Sequence, residues 1–160
     1  NVMAQQLFLT LALVRNPAQP ASNEAARENL RRWLGERFGE LGPDVVIDNG
    51  SGLSRETRVS AQLLARLLLQ AYDSPWMSEL MSSLPINGVD GTLRRSRATA
   101  GRAHLKTGSL RDVAARAGYV LSNSGRRYVL VAIINHPNAN AARPALDALV
   151  QWSLRDAPSR

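Results

Sequence analysis

The sequence predicts an α+β fold, an α/β/α sandwich in which an antiparallel sheet lies between helices. Three observations carry this prediction. The first half contains segments whose apolar residues recur at helical spacing. Three strand-like runs follow, and the last two are joined by Asn123-Ser124-Gly125, which is typical of a hairpin turn. Residues 128–134 are apolar without alternation, which indicates a strand covered by helices on both faces.

Residues 1–83 are predicted to be mainly helical. Residues 2–15 are apolar on nearly every side, which indicates an enclosed helix that ends at Asn16-Pro17. A second helix follows an N-cap at Ser22 or Asn23 and ends within 39–43. Its apolar residues lie at helical spacing and are Ala26, Leu30, Trp33, Leu34 and Phe38.

A short β-branched strand is predicted at 45–47, and it enters the loop 48–54. Gly-Ser-Gly in this loop could indicate an exposed nucleophile, but the G-x-S-x-G pattern is absent. Since glycine and asparagine are the residues that sharp turns require, a structural loop is the preferred interpretation. A third helix is predicted from Thr57 or Ser60 to Tyr72, and a shorter one from 74 to 83.

The second half is predicted to hold the sheet. Its connection at 84–101 is rich in proline, glycine and arginine, which indicates little regular structure beyond one helical turn. Strands near 102–108, 115–122 and 127–134 form an antiparallel meander within 102–134, with the first strand on an accessible edge. A final helix, 139–156, has Pro144 near its first turn.

Composition excludes several classes of protein. The 44% of hydrophobic residues indicates a globular core, and the absence of cysteine excludes disulfides and thiolate metal sites. Few histidines and no acidic cluster give a metal site no support, and no cofactor is predicted. The net charge of +7 is scattered over arginines without aromatic residues among them, so nucleic-acid binding is disfavoured.

The apolar opening is predicted to be neither a membrane span nor a signal sequence. The segment 2–14 is shorter than the roughly 20 residues that cross a bilayer. It also lacks an initiating methionine, a basic region and a cleavage pattern. We therefore expect that the chain starts inside a larger protein.

Lys106 is the only lysine in the chain, and all the other basic residues are arginines. A compact ammonium can approach one point in a cleft, whereas a guanidinium is planar and larger. Lys106 opens the sequence Lys106-Thr107-Gly108-Ser109, whose first three residues form the third element of the serine acyl-transfer signature. The tripeptide alone is a weak signal, so the rest of the sequence decides whether it marks a catalytic site.

The context is a set of passages spread along the chain: Asn1 to Leu7, Asp48 to Arg55, Leu84 to Leu93, Lys106 to Leu110, and Ala117-Gly118-Tyr119. In order and spacing, these passages resemble the C-terminal part of the penicillin-binding D-alanyl-D-alanine carboxypeptidases/endopeptidases of the low-molecular-mass class C type. The resemblance spans nearly the whole chain and implies one transpeptidase-like domain over 1–160, part of the serine β-lactamase/transpeptidase-like fold.

The resemblance implies a role for each residue of the site. Asn1 and Lys106 would be catalytic: an amide for the substrate carbonyl and an ammonium for the cleft. The implied substrate-binding residues are Thr107, Gly108 and Ser109. Thr107 would hold a terminal carboxylate, Gly108 would admit an extended peptide, and Ser109 would donate the oxyanion-hole N–H. The implied partners are peptidoglycan stem peptides and β-lactams, and the implied location is periplasmic or otherwise extracytoplasmic. Carboxypeptidase and endopeptidase activities both stay open.

The Ser-x-x-Lys motif of that family cannot occur here, because Ala103 stands three residues before the only lysine. The resemblance implies that the serine, its lysine base and the first strands of the sheet lie in an N-terminal part of the same protein. The chain alone is therefore predicted to be inactive. The alternatives are a non-catalytic binding domain of the same fold and, with less support, a basic nucleic-acid-binding module.

Overall fold

The structure, a computed structural model, describes residues 1–14, 17–43 and 45–156. The chain forms two compact units, Asn1–Leu63 and Leu64–Arg160. The single domain over 1–160 therefore stays a prediction. The predicted helix end at Asn16 lies outside the described residues. Over the described residues, no helix is both long and apolar enough to cross a membrane.

The first unit is built on two helices. Helix α1 spans Val2–Thr10 and continues into a 3-10 turn, Leu11–Leu13, and α2 spans Asn23–Phe38. Their contact forms a small core of Phe8, Ala12, Ala26 and the partly buried Ala25, Leu30 and Ile47. The predicted enclosure of the first helix is wrong, since its apolar residues Val2, Met3 and Leu7 are 76%, 80% and 70% exposed. Within this unit, only one face of α1 packs into the core.

Ser22, one of the two residues predicted as the N-cap, caps α2. Its backbone is extended, and its hydroxyl accepts a hydrogen bond of 3.1 Å from the N–H of Ala25. This bond satisfies one of the N–H groups that the first turn of a helix leaves without a partner. The helix ends at Gly39, whose φ of 77° favours glycine.

Replacing Ser22 with alanine is expected to lower the free energy of unfolding by about 1 kcal/mol, because the cap is lost. Ser22→Asp keeps an acceptor at the same place and is expected to stay within a few tenths of the wild type. Urea unfolding followed by circular dichroism measures both. Equal stability of the alanine variant and the wild type would contradict a capping role.

The strand predicted at 45–47 is reduced to one bridge. Val46 and Arg58 exchange two backbone hydrogen bonds of 3.0 and 2.9 Å, and no longer ladder forms among the described residues. The chain then turns into the loop 48–54, which Arg27 fixes from α2 by donating to Asp48 O at 2.6 Å. The backbone carbonyl of Asp48 is thus bonded to a side chain of α2 and not to a partner strand.

Two helices and a connection precede the sheet. Helix α3 spans Ala61–Tyr72, with Ser60 accepting from the N–H of Leu63, and α4 spans Met77–Ser83. The segment 84–101 contains one 3-10 turn, Gly91–Leu93, as predicted. One residue of this connection, Asn87, is fully buried and forms hydrogen bonds that hold the connection in place.

The sheet is an antiparallel meander, as predicted. Strands β1, Ala103–Ser109, β2, Val113–Leu121, and β3, Arg127–Asn135, lie in the order β1-β2-β3. Their bounds differ from the predicted ones by at most two residues. Ala117 lies opposite Lys106 on β1 and Val131 on β3.

Helices lie on both faces of this sheet. A 3-10 turn, Ala139–Ala142, leads into α5, Arg143–Leu154, which carries Pro144 in its first turn. On one face a buried cluster contains Leu93, Ala98, Ala103, Leu105, Val120, Leu130, Val150 and Leu154. On the other face the Tyr119 hydroxyl donates to Leu68 O of α3 at 2.7 Å. The α+β sandwich is confirmed.

The predicted full cover of β3 is wrong. Of its nine residues only Leu130 is buried, and most of the others are half-buried. The contact of Tyr119 with α3 lies at one end of the opposite face, so it does not cover the middle of β3. Strand β3 is also an edge strand of the sheet that the structure describes.

Candidate active site at the edge of the sheet

The residues Lys106 to Ser109 form the second half of β1, on the edge of the sheet. The first half of that edge is covered, because Leu105 N donates to Pro85 O and Ala103 O accepts from Asn87 N, both at 2.9 Å. Alternate residues of an edge strand direct their backbone groups away from the sheet. The backbone N–H and C=O of Thr107 and Ser109 therefore face outward, beyond the cover.

Asn87 builds the cover and was not singled out in the sequence. Its Oδ1 accepts from the N–H of Ala103 at 2.7 Å, and its Nδ2 donates to Thr99 O at 2.6 Å. A buried amide with both ends bonded holds the connection against the start of β1. Its only sequence signal is its place between Pro85 and Gly88 in a passage that carries the resemblance.

Lys106 is exposed, and its side chain lies on the face of the sheet that also carries His104. Its Nζ donates to Thr107 O at 2.7 Å. That carbonyl faces outward, so the ammonium stands beside the free edge. A peptide that approaches this edge meets the only ammonium of a lysine side chain in the chain.

Thr107 and Ser109 place two hydroxyls on the opposite face of the edge. Thr107 Oγ1 donates to Thr92 Oγ1 at 2.8 Å, and Ser109 Oγ accepts from Arg143 Nη2 at 2.7 Å. Thr92 and Arg143 were not predicted as members of this group. Both are distant from the edge in sequence, so no local pattern indicates their proximity.

Gly108 lies opposite Ala115 of β2. A Cβ on residue 108 would stand 3.3 Å from the Cβ of Ala115, which is closer than ordinary packing. The sequence prediction explains this glycine by the approach of a peptide, whereas the structure gives a packing reason on the β2 side. Gly118 is more restricted still, since it has φ of 152° and a Cβ there would overlap His104 O.

Asn1 belongs to the other unit, where it precedes α1 and is exposed. Its backbone carbonyl accepts from Gln5 N at 3.0 Å, while its side chain makes no capping hydrogen bond. Asn1 and Lys106 thus lie in separate compact units, and the role predicted for Asn1 stays a prediction.

The loop 48–54 uses its polar side chains in its own turns. Ser51 Oγ donates to Asn49 Oδ1 at 2.6 Å, and Leu53 N donates to Ser51 Oγ at 3.1 Å. Ser54 Oγ accepts from the N–H of Glu56 at 3.0 Å. These are the hydrogen bonds that serine and asparagine form in tight turns, which favours the structural interpretation of the loop.

The two histidines lie outside a catalytic arrangement. His104 Nδ1 lies 3.1 Å from Met81 O, and His136 Nδ1 accepts from Asn138 N at 3.0 Å, just beyond the end of β3. Across the described residues, no three histidines or carboxylates gather as a metal site requires.

A buried ion pair lies directly behind the site. Arg116 of β2 stands opposite Thr107, and its Nη1 lies 2.6 Å from Asp147 Oδ1 of α5. That Nη1 has no hydrogen-bond partner among the described residues, so its contact with Asp147 is an ion pair only. Ser96 Oγ donates to the same carboxylate oxygen at 2.7 Å.

Asp147 stays ionised because the interactions that lower the pKa of its carboxyl outweigh the effect of its burial. Burial raises the pKa of its carboxyl, while the hydrogen bond from Ser96, the close contact and charge of Arg116 and the backbone of Arg97 lower it. The balance holds the pKa below its ordinary value. The pair therefore ties α5 to the strand beside the candidate site while both groups are charged.

The chain is similar to known proteins over most of its length. The D-Ala-D-Ala carboxypeptidase 3 (S13) family matches residues 1–155. The D-alanyl-D-alanine carboxypeptidase of Actinomadura sp. (strain R39) is 37% identical over 132 residues, which are 76% of this chain and 24% of that protein. The D-alanyl-D-alanine carboxypeptidase DacB of Haemophilus influenzae is 30% identical over 148 residues, 84% of this chain and 29% of that protein.

A solved structure confirms the fold. Penicillin binding protein 4 (dacB) from Haemophilus influenzae, complexed with a novel β-lactam, superposes with a TM-score of 0.74 at 24% identity. The alignment covers 94% of this chain and 37% of that one. This chain thus spans only about a quarter to a third of the two curated relatives. Since the family match extends over 1–155, the chain belongs to the D-Ala-D-Ala carboxypeptidase 3 (S13) family.

Proposed function

We propose that this chain is the C-terminal part of a serine D-alanyl-D-alanine carboxypeptidase or endopeptidase that cleaves peptidoglycan peptides through an acyl-enzyme and binds penicillin. The observation that carries this proposal is the free half of the β1 edge, where Lys106 and the outward backbone of Thr107 and Ser109 stand together. Family membership supports the substrate class, and the β-lactam bound to the Haemophilus influenzae protein supports penicillin binding.

The edge supports binding of an extended peptide. Strand addition uses the N–H and C=O groups of an edge. Ser109 offers both, and Thr107 offers its N–H beside a carbonyl that already accepts from Lys106 Nζ. The Ser109 N–H is the proposed oxyanion donor, a contribution typically of about 3 kcal/mol to the barrier. Lys106 lowers the energy of negative charge that gathers at this edge, including the peptide carboxylate.

The nucleophile is proposed to come from an N-terminal part of the same protein. A serine hydroxyl attacks the carbonyl of the penultimate D-alanine, an ester forms, and the amide bond to the leaving amine breaks. The amine takes a proton and departs, and water then hydrolyses the ester. Asn1 is proposed to donate its amide N–H to the substrate carbonyl. A periplasmic or otherwise extracytoplasmic location follows from the proposed substrate.

Labelling with a fluorescent penicillin tests the proposal. The full-length protein is expected to form one acyl-enzyme at a serine outside residues 1–160, and the chain alone is expected to form none. Peptide mapping identifies the labelled serine, and heat-denatured protein is the control. Labelling of any serine within 1–160 contradicts the proposed position of the nucleophile. Full-length protein that binds D-alanyl-D-alanine peptides without acylation would instead support a non-catalytic binding domain.

A further inference from the structure

The chain contains two asparagine–glycine steps, Asn49-Gly50 in the loop 48–54 and Asn87-Gly88 in the connection 84–101. Asparagine is chemically labile, because its side-chain carbonyl carbon can be attacked by the backbone nitrogen of the next residue. Glycine hinders this attack least, since it has no Cβ and a flexible backbone. The two steps can therefore be compared within one molecule.

Packing requires glycine at position 50. A Cβ on this residue would overlap the Cβ of Phe8, which is buried in the core of the first unit. A bulkier residue after Asn49 would slow the attack, but it would also disturb this core. The labile pair is thus fixed by the fold on its glycine side.

Asn87 is protected from the reaction by complete burial. Its Nδ2 donates to Thr99 O at 2.6 Å, and its Oδ1 accepts from Ala103 N at 2.7 Å. The N–H of Gly88 donates to Leu93 O at 3.0 Å. The attack needs a base that removes the proton of this N–H, and burial keeps water and dissolved bases away from it. We therefore expect Asn87 to stay intact while the chain is folded.

Asn49 is half-buried, and a side chain of α1 restrains the glycine that follows it. The N–H of Gly50 donates to Gln5 Oε1 at 2.9 Å, which keeps the proton on the attacking nitrogen. Asn49 Oδ1 accepts from the N–H and the hydroxyl of Ser51 at 3.0 and 2.6 Å. Donors at this oxygen stabilise the negative charge that develops there during the attack. The bond to Gln5 therefore opposes a reaction that the bonds from Ser51 favour.

We infer that Asn49 is a site of spontaneous deamidation and that Gln5 limits the rate. The Gly50 nitrogen loses its proton and attacks Cγ of Asn49, the side-chain nitrogen takes up a proton and leaves as ammonia, and a succinimide ring closes. Water then opens the ring to aspartate or isoaspartate. The inference is independent of the proposed activity, because the reaction needs no substrate and no other protein.

The modification changes the charge of the loop. The amide of Asn49 now donates from Nδ2 to Asp48 Oδ2 at 2.6 Å. Either product carries a carboxylate in place of this amide, so the donor is lost and two neighbouring negative charges repel each other. Deamidation therefore loosens the start of the loop 48–54.

Ageing of the full-length protein in mildly alkaline buffer, followed by peptide mapping and mass spectrometry, tests this inference. Aspartate and isoaspartate are expected to form about tenfold or more faster at position 49 than at position 87, because a half-buried loop opens at a lower free energy than a buried segment. Gln5→Met keeps the side-chain length but removes the acceptor, and it is expected to raise the rate at position 49 about fivefold, which corresponds to about 1 kcal/mol. Gln6→Met makes the same exchange at the next, exposed position of α1 and is the matched control.

The outcomes separate the site from the role of Gln5. Equal rates at positions 49 and 87 would mean that both asparagines react only after unfolding, and they would overturn the site, as would the absence of product at position 49. This comparison is made within the wild type, so it does not depend on any variant. An unchanged rate in Gln5→Met would overturn the role of Gln5. If thermal melting shows that this variant is unfolded, Gln5→Ala, which also lacks the acceptor and favours the helix, replaces it.

Discussion

Lys106→Arg in the full-length protein is expected to lower the second-order rate of acylation by penicillin about 10³-fold, although the charge is kept. A loss of this size corresponds to about 4 kcal/mol of transition-state stabilisation. The ammonium now reaches Thr107 O at 2.7 Å beside the free edge. A guanidinium is planar and larger, so it cannot place a point charge in the same space.

The control for this variant is Arg155→Lys, which makes the reverse exchange at the exposed residue that follows α5. Acylation kinetics and thermal melts are compared for the two variants and the wild type. The melting temperature is expected to stay the same, because the side chain of Lys106 is exposed. Unchanged acylation at unchanged stability would show that Lys106 is an ordinary surface residue.

The elements that the sequence predicts well depend on local signals. Ser22 and Gly39 bound α2 through cap chemistry, and Asn123-Ser124-Gly125 closes the β2-β3 hairpin. Both signals act within a few residues, so a single sequence contains them. Lys106 was identified for a similar reason, since one lysine among arginines is visible without a structure.

The predictions that proved wrong depend on tertiary contacts, namely on which neighbours bury a helix or strand and which segments pair. The apolar α1 and β3 were expected to be enclosed, but periodicity reports only that a surface is apolar, not which neighbour meets it. The strand predicted at 45–47 is a single bridge, and the next residue, Asp48, bonds to Arg27 of α2, which is distant in sequence. Tertiary contacts of this kind override local propensity.

The site residues that the sequence did not indicate are held by the same kind of contact. Arg143 meets Ser109 across 34 positions of the chain, and Arg116 meets Asp147 between a strand and a helix. In a chain with so many arginines, composition does not distinguish these two from solvent-exposed ones. Only the position of α5 against the sheet identifies them.

The second large effect that we expect is on stability, and it comes from the ion pair of Arg116 and Asp147. Asp147→Ala is expected to lower the free energy of unfolding by about 3 to 5 kcal/mol, since it leaves a buried guanidinium without its counter-charge. The two side chains are only 9% and 14% exposed. The double variant Arg116→Met with Asp147→Leu replaces both charges with apolar groups and is expected to recover most of the loss.

The pH dependence of the unfolding free energy tests the same ion pair independently. The pKa of Asp147 is lowered in the folded chain, so its contribution to stability is fully present above the ordinary pKa of a carboxyl, near 4. That contribution is lost as the pH falls through the lower folded value. Below about pH 4, the unfolding free energy of the wild type should therefore fall more steeply than that of the double variant. Parallel pH profiles of the two proteins, measured by urea unfolding, would mean that the Asp147 carboxylate contributes nothing to stability and that the contact with Arg116 is incidental.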